Sequence, residues 1–599
     1  MQARARSAAS TPANPRPGLG SGGTTGVPGP VVAGCSEERA TPGRTTADPQ
    51  ARVRPNPLLP VRFRSRLLAR SAFCALLLST SVHAAPRALQ AQGGPELELD
   101  WSGGVLGTKV VYSLSGPPGA LVAFLPSFSG GPTPLGAFFP GATKELEVGL
   151  DLFSQLWIGT LDASGQATRS IPLPASAAFD GLVLHAQALL LNLPGPGLDA
   201  VSNPTRFVLS LPGRAHYTLG EMVRARRGHS STALGDGRVL IAGGEVPGAL
   251  GLTHASWEIY DPRTQSFEAG GNDMHVGRAR HSATLLTDGR VLVAGGIGDG
   301  GQVLRSGVVL DPDTGSVQAV AGEMTDPRVW HTATRTANGR VLLAGGSSQW
   351  SLTNSAGSPL TLVAPISSTS NYYDPVSNAW FQGPTLPFRM TMHGASLLSD
   401  GSLFFAGGYG GPLLFTESTT ANTFFLDASG VGWSQGPPLP QARAMFGQTA
   451  TVDGGALIVG GGEINAASQS LAGVFDSVQL QQPQVGQPWD FLGPDRNWPL
   501  PESPTPRCVT DENGNTRYYI IPCPGHWIPW PGPGDAGSPP NTVHALDPGS
   551  PWQQVGTLLE ERWRAESAVN DMWRLLATGS AGIEGNGTFD RSAEIFTLP

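Results

Sequence analysis

From residue 226 onward one pattern of apolar and polar positions recurs along the chain. Each copy opens on arginine, carries a histidine shortly after, alternates apolar with small polar positions, turns, and runs unbroken through apolar residues to a Gly-Gly pair. The copies occupy residues 226–244, 278–296, 328–346, 389–408 and 443–461, the last with Phe446 in place of the histidine. Alternation with a period of two marks a half-buried strand. Asp236-Gly237, Asp288-Gly289 and Asn338-Gly339 separate the alternating runs from the continuous ones, so each predicts a two-residue hairpin turn. Beyond Gly-Gly a third strand ends in Asp261, Asp311 or Asp374, and a fourth opens near Phe267, Trp380 or Trp433. The unit is four short antiparallel strands in roughly 50 residues.

The double glycine, the aromatic that follows it and the spacing resemble the kelch repeat over residues 214–599. The resemblance implies an all-β fold, a closed kelch-type β-propeller. Seven blades are favoured over six, because the stretch between Gly460 and Gly579 holds two segments like third strands, 473–476 and 543–548. Between them a shortened hairpin spans Arg507, Asn513-Gly514 and Tyr519, flanked by Cys508 and Cys523, which are expected to form a disulfide. The chain ends on a third strand at 592–599, and residues 215–220 stand where a missing fourth is due. The N-terminal strand should therefore complete the last blade and remove an open edge.

Residues 94–212 alternate without the repeat, in short strands at 97–101, 109–114, 121–125, 155–161, 182–191 and 206–211, which suggests a small β-sandwich. Residues 1–60 are too poor in apolar residues to order themselves and read as a disordered or untranslated extension. Residues 61–85 have the basic, apolar and small-residue regions of a secretory signal peptide. A secreted protein, extracellular or periplasmic, is expected, with no membrane insertion after cleavage.

With 80 Gly and 54 Pro among 599 residues, helical bundles are excluded. The net charge is −8, and it becomes more acidic without the arginine-rich first 85 residues. Nucleic acid and anionic membranes are therefore poor partners.

Chemistry is sparse. Kelch-type propellers include galactose oxidase-like copper enzymes, so the resemblance raises a copper radical oxidase as an alternative. His229, His281, His331 and His393 recur once per copy and so answer to the repeat rather than to one metal centre. No metal and no cofactor are expected. Arg226, Arg278, Arg328 and Arg389 precede innermost strands. They either converge on an acidic ligand at the channel mouth or bond nearby loop carbonyls. Trp350, Tyr409, Phe415, Trp527 and Trp530 sit on loops between second and third strands, where rings suit stacking on sugars or peptides. Together with the four arginines they form the expected binding face. The favoured function is a non-catalytic secreted binding or scaffold protein whose ligand is an extracellular glycan or protein. The alternative is an exported enzyme, either the copper oxidase or a glycan-processing enzyme.

Overall fold

Successive side chains of a strand point to opposite sides, so a strand that is apolar throughout needs a neighbour on each side. Val239–Ala242, Val291–Ala294, Val341–Ala344 and Leu403–Ala406 are of this kind and are buried at every position. The structure is a computed structural model that describes residues 97–192, 197–249, 251–349, 365–412, 418–451, 455–459 and 461–464, then the strands from Leu471–Val474 to Ala593–Thr597. It shows where the two sides go. Leu240 and Ala242 pack on Val291 and Val293, and Leu292 and Ala294 pack on Val341 and Leu343. Leu342 and Ala344 meet Leu403 and Phe405, and Phe404 and Ala406 meet Ala456 and Ile458. In the other direction Val239 and Ile241 face Ala593 and Ile595 near the chain's end. The core is a series of apolar layers between neighbouring sheets, each buried aliphatic side chain contributing about 1.5–3 kcal/mol.

Among the described residues, seven four-stranded antiparallel sheets lie between residues 215 and 597. The first runs Ser230–Ala233, Val239–Ala242, Trp257–Asp261, Ser266–Ala269. The next three begin with Ser282–Leu285, Thr332–Arg335 and Gly394–Leu397 and keep that order. The fifth begins with Gly447–Ala450 and the sixth with Arg507–Thr510. In the seventh, Arg562–Asn570, Arg574–Ala581 and Ala593–Thr597 take Ala215–Tyr217 as the fourth strand, with Ala215 opposite Phe596. First strands of the first five sheets stand side by side, and Arg562–Asn570 lies beside both Ser230–Ala233 and Arg507–Thr510. This is an all-β, propeller-type arrangement. The only helical elements among the described residues are three-residue 3-10 turns.

Two expectations need correction. The Asp-Gly turns are three-residue loops, not two-residue ones: Gly237 N donates to Leu234 O, and Leu234 N donates to Arg238 O. Only the glycines have positive φ (Gly237 84°, Gly289 87°, Gly339 84°), whereas a two-residue type I′ turn needs it at both residues. In the fifth sheet the third strand is Val478–Gln481, not residues 473–476. Leu471–Val474 pairs instead with Gly462–Ile464, outside that sheet.

Before the repeats, Glu98–Gly103, Lys109–Ser115 and Gln166–Pro172 form a three-stranded sheet. Leu121–Ser127, Trp157–Thr160, Val183–Asn192, Gly197–Val201 and Thr205–Val208 form a five-stranded one. The two share one core, in which Leu99, Trp101 and Tyr112 meet Val122, Phe124 and Phe207. Arg206 ties this part to the first repeat, its N donating to Arg263 O (2.8 Å) and its Nε to Thr264 O (2.9 Å). The extension and signal segment at 1–60 and 61–85 lie outside the described residues. No described helix is long and apolar enough to cross a membrane.

Candidate binding site at the channel mouth

The repeated arginines do not reach the mouth. Arg226, Arg278 and Arg328 are 0%, 1% and 0% exposed, inside their own sheets. Arg226 Nη1 donates to the carbonyls of Gly243 and Ser256, and its Nη2 donates to Ser256 Oγ (3.3 Å). Arg278 does the same with Gly295 and Ser306, and Arg328 with Gly345 and Thr369. Inward-turned loop carbonyls need donors, and a guanidinium supplies several in one rigid fork. Each arginine therefore pins its repeat's Gly-Gly to the third strand. Glycine is required there: Gly243 has φ 65°, and a Cβ on it would lie 2.3 Å from Arg278 O.

Arg389 is not in this series. Gly346 N donates to Met390 O just as Gly244 N donates to Arg278 O, so Met390 takes the arginine's place. Arg389 lies one residue earlier, half-buried and paired with Gly411. The third-strand residue facing this position changes with it. Glu258 holds Arg226 at 2.7 Å, Asn371 Oδ1 accepts from Arg328 at 2.8 Å, Val308 stands in the second sheet, and apolar Phe424 accompanies Met390. Burial lowers the pKa of Arg278 and of Arg328 to about 10, which leaves both charged at neutral pH.

The histidines link sheets. His281 Nε2 lies 2.9 Å from Ser230 Oγ, His331 Nε2 lies 2.9 Å from Ser282 Oγ, and His393 Nε2 lies 3.0 Å from Thr332 Oγ1. Burial depresses His229, His331 and His393 to a pKa of about 3, so they are neutral. Where Phe446 replaces histidine, Gly394 replaces the hydroxyl residue, and a Cβ there would lie 2.7 Å from the Phe446 ring.

A shared backbone conformation marks the residue just before each of these histidines and before Phe446, at the start of the first strands. Gly228 (φ 59°), Arg280 (54°), Trp330 (55°), Met392 (55°) and Met445 (60°) are all left-handed. Arg280 N donates to Gly228 O, Met392 N to Trp330 O and Met445 N to Met392 O, so this backbone passes from sheet to sheet. Glycine adopts the conformation freely, whereas an L side chain costs about 1–2 kcal/mol there. Trp330, Met392 and Met445 pack together with Ile366 and Tyr409. On the first two sheets Arg227 Nε donates to Glu245 Oε2 (2.7 Å), and Arg280 Nη2 donates to Glu245 Oε1 (3.1 Å). Along the starts of the first strands an aromatic and thioether cluster is thus followed by a charged group.

Of the predicted loop aromatics, Tyr409 is part of this cluster and is 5% exposed, directly after Gly408. Trp350, Phe415, Trp527 and Trp530 lie outside the described residues, as does Cys523. Cys508 falls in Arg507–Thr510, whose side chains are likewise not described. Sequence reasoning passed over Arg280, Trp330, Met392 and Met445. Their signal was variation: they occupy the repeat position whose chemistry changes while its neighbours recur. Among the described residues no group of three His, Cys, Asp or Glu is placed to hold a metal ion.

No family model and no curated protein matches the chain. Among solved structures the chain is similar to YjhT at 15% identity and a TM-score of 0.38, over 61% of this chain and 97% of that one. It is also similar to a fungal alcohol oxidase of the AA5 family in complex with copper, at 15% identity and a TM-score of 0.46, over 65% of this chain and 76% of that one.

Proposed function

We propose that the protein is an exported, non-catalytic binding module, a seven-bladed propeller carrying a β-sandwich, that recognises an extracellular carbohydrate or peptide at the channel mouth. The observation that carries this is the strained ring. Arg280, Trp330, Met392 and Met445 hold left-handed backbone that glycine would adopt without cost, and Gly228 does so in the first repeat. Met392 is buried in the cluster with Tyr409, whereas Trp330 and Met445 are half-buried at its edge; these edge side chains, kept against that cost, are assigned to a ligand. The aromatic and thioether cluster suits the flat apolar face of a sugar or a peptide side chain. The Arg227–Glu245–Arg280 group beside it suits polar edges. Trp350, Phe415, Trp527 and Trp530, which lie outside the described residues, are proposed to share the same binding function.

Arrays of immobilised glycans and peptides, screened with the wild type and with Trp330→Gly, test the reading. A ligand retained by the wild type and lost by the variant is expected. Wild-type ligands that all survive Trp330→Gly overturn it. Stoichiometric copper in the purified protein would replace it with the oxidase.

A further inference from the structure

At the end of the sheets opposite the mouth, arginines close the gaps between neighbours. Arg238 and Arg290 each follow an Asp-Gly turn and are held by its aspartate, Arg238 by Asp236 (2.6 Å) and Arg290 by Asp288 (2.6 Å). From there each reaches the next sheet's turn between third and fourth strands. Arg238 Nη2 bonds Asp313 (2.6 Å), and Arg290 Nη2 donates to Pro375 O (3.4 Å). In the third sheet the turn is Asn338-Gly339. A neutral amide cannot hold the guanidinium by charge, and Arg340 turns back onto its own sheet. There it pairs with Asp374 (3.1 Å) and lies 5.7 Å above the Phe381 ring.

The gap between the third and fourth sheets is left as a groove of about 430 Å³. Phe381 (46% exposed) and Val431 (75% exposed) line it, with Tyr372, Asn338, Gln382 and Ser429. The charges at its rim are already satisfied: Arg340 by Asp374, and Asp427 by Ser429 Oγ and the backbone N–H groups of Val431 and Gly432. Tyr372 Oη donates to Gly430 O (3.2 Å), and Asn338 Oδ1 accepts from Thr336 Oγ1 (2.6 Å) and Arg340 N (3.2 Å). What the groove offers a ligand is the exposed Phe381 ring beside the Asn338 amide N–H group and the exposed Gln382 amide, in a volume suited to one or two sugar units.

We propose that this groove binds a neutral carbohydrate, its C–H face against Phe381 and its hydroxyls towards Asn338 and Gln382. The site is independent of the mouth. A charged ligand has no unpaired partner here, and a purely apolar one would strand the amides.

The test is titration calorimetry of the full chain with galactose-, glucose-, mannose- and N-acetylglucosamine-containing disaccharides. At least one is expected to bind, at least tenfold more weakly to Phe381→Ala and with unchanged affinity to Val376→Ala, an exposed residue outside the groove. Asn338→Asp restores the aspartate of the other two turns, should draw Arg340 across the gap, and should abolish binding. If no disaccharide binds, or if binding survives Phe381→Ala, the proposal is wrong. If binding is lost in Trp330→Gly but kept in Phe381→Ala, the sugar belongs to the mouth.

Discussion

His331 and Ser282 show how one residue pair carries the joint between two sheets. Replacing His331 with Phe alone puts a larger ring against Ser282 and leaves its hydroxyl without the imidazole. The protein has already solved this once, by placing Gly394 opposite Phe446. His331→Phe should therefore destabilise by about 2–3 kcal/mol, and adding Ser282→Gly should recover at least half of it, a coupling that denaturant melts of the two single variants and the double variant measure. Additive losses would show that the pair is not coupled. The same histidines make stability depend on pH. Their folded pKa of about 3 lies below the ordinary 6.5, so from pH 6.5 down towards 3 the unfolded chain binds protons that the folded chain refuses. Stability should fall on acidification by up to about 1.4 kcal/mol per pH unit for each histidine. The His331→Phe/Ser282→Gly variant should show a shallower slope between pH 6.5 and 4.5. An unchanged slope would mean that His331 is not held neutral.

At the scale of elements, the hairpins were legible because strand periodicity and glycine chemistry agree. Continuous runs such as 291–294 announce burial on both faces, and the glycine of each Asp-Gly marks the one left-handed residue of its turn. The loop length was misjudged by one residue because Asp-Gly serves two-residue and three-residue turns alike. The arginines were misplaced for a different reason. A repeated charge reads equally well as a ligand or as a donor for buried carbonyls, and only the positions of Gly243 and Ser256 decide between them. The mouth was illegible because left-handed Trp330, Met392 and Met445 carry no glycine to betray the turn. Their conformation follows from the bond each strand start makes with the next sheet, which no local pattern encodes.

For the whole molecule, the last sheet is completed by Ala215–Tyr217, a strand of three residues held from two directions. Its partner within the sheet is Ala593–Thr597, and on the other side His216 Nε2 lies 3.2 Å from Asp180, which also accepts from Leu211 N (2.9 Å). The N-terminal sheets thereby clasp the strand that closes the last repeat. Asp180→Ala should loosen that closure by about 1 kcal/mol, raising amide hydrogen exchange in Ala593–Thr597 roughly fivefold and leaving Val291–Ala294 unchanged. Equal exchange in both proteins would show that the clasp contributes nothing.

The central claim is that the side chains of the strained ring are kept for binding rather than for folding. Met445→Gly tests it most directly, because it exchanges a half-buried left-handed thioether for the residue that Gly228 already supplies in the first repeat. The measurement is paired: the melting temperature, and affinity for the strongest ligand found on the arrays. The account predicts a melting temperature within about 3 °C of the wild type, because relief of about 1–2 kcal/mol of backbone strain offsets the lost packing, and affinity reduced at least tenfold. Unchanged affinity together with a melting temperature lowered by about 8 °C or more would make the ring a structural feature and contradict the account.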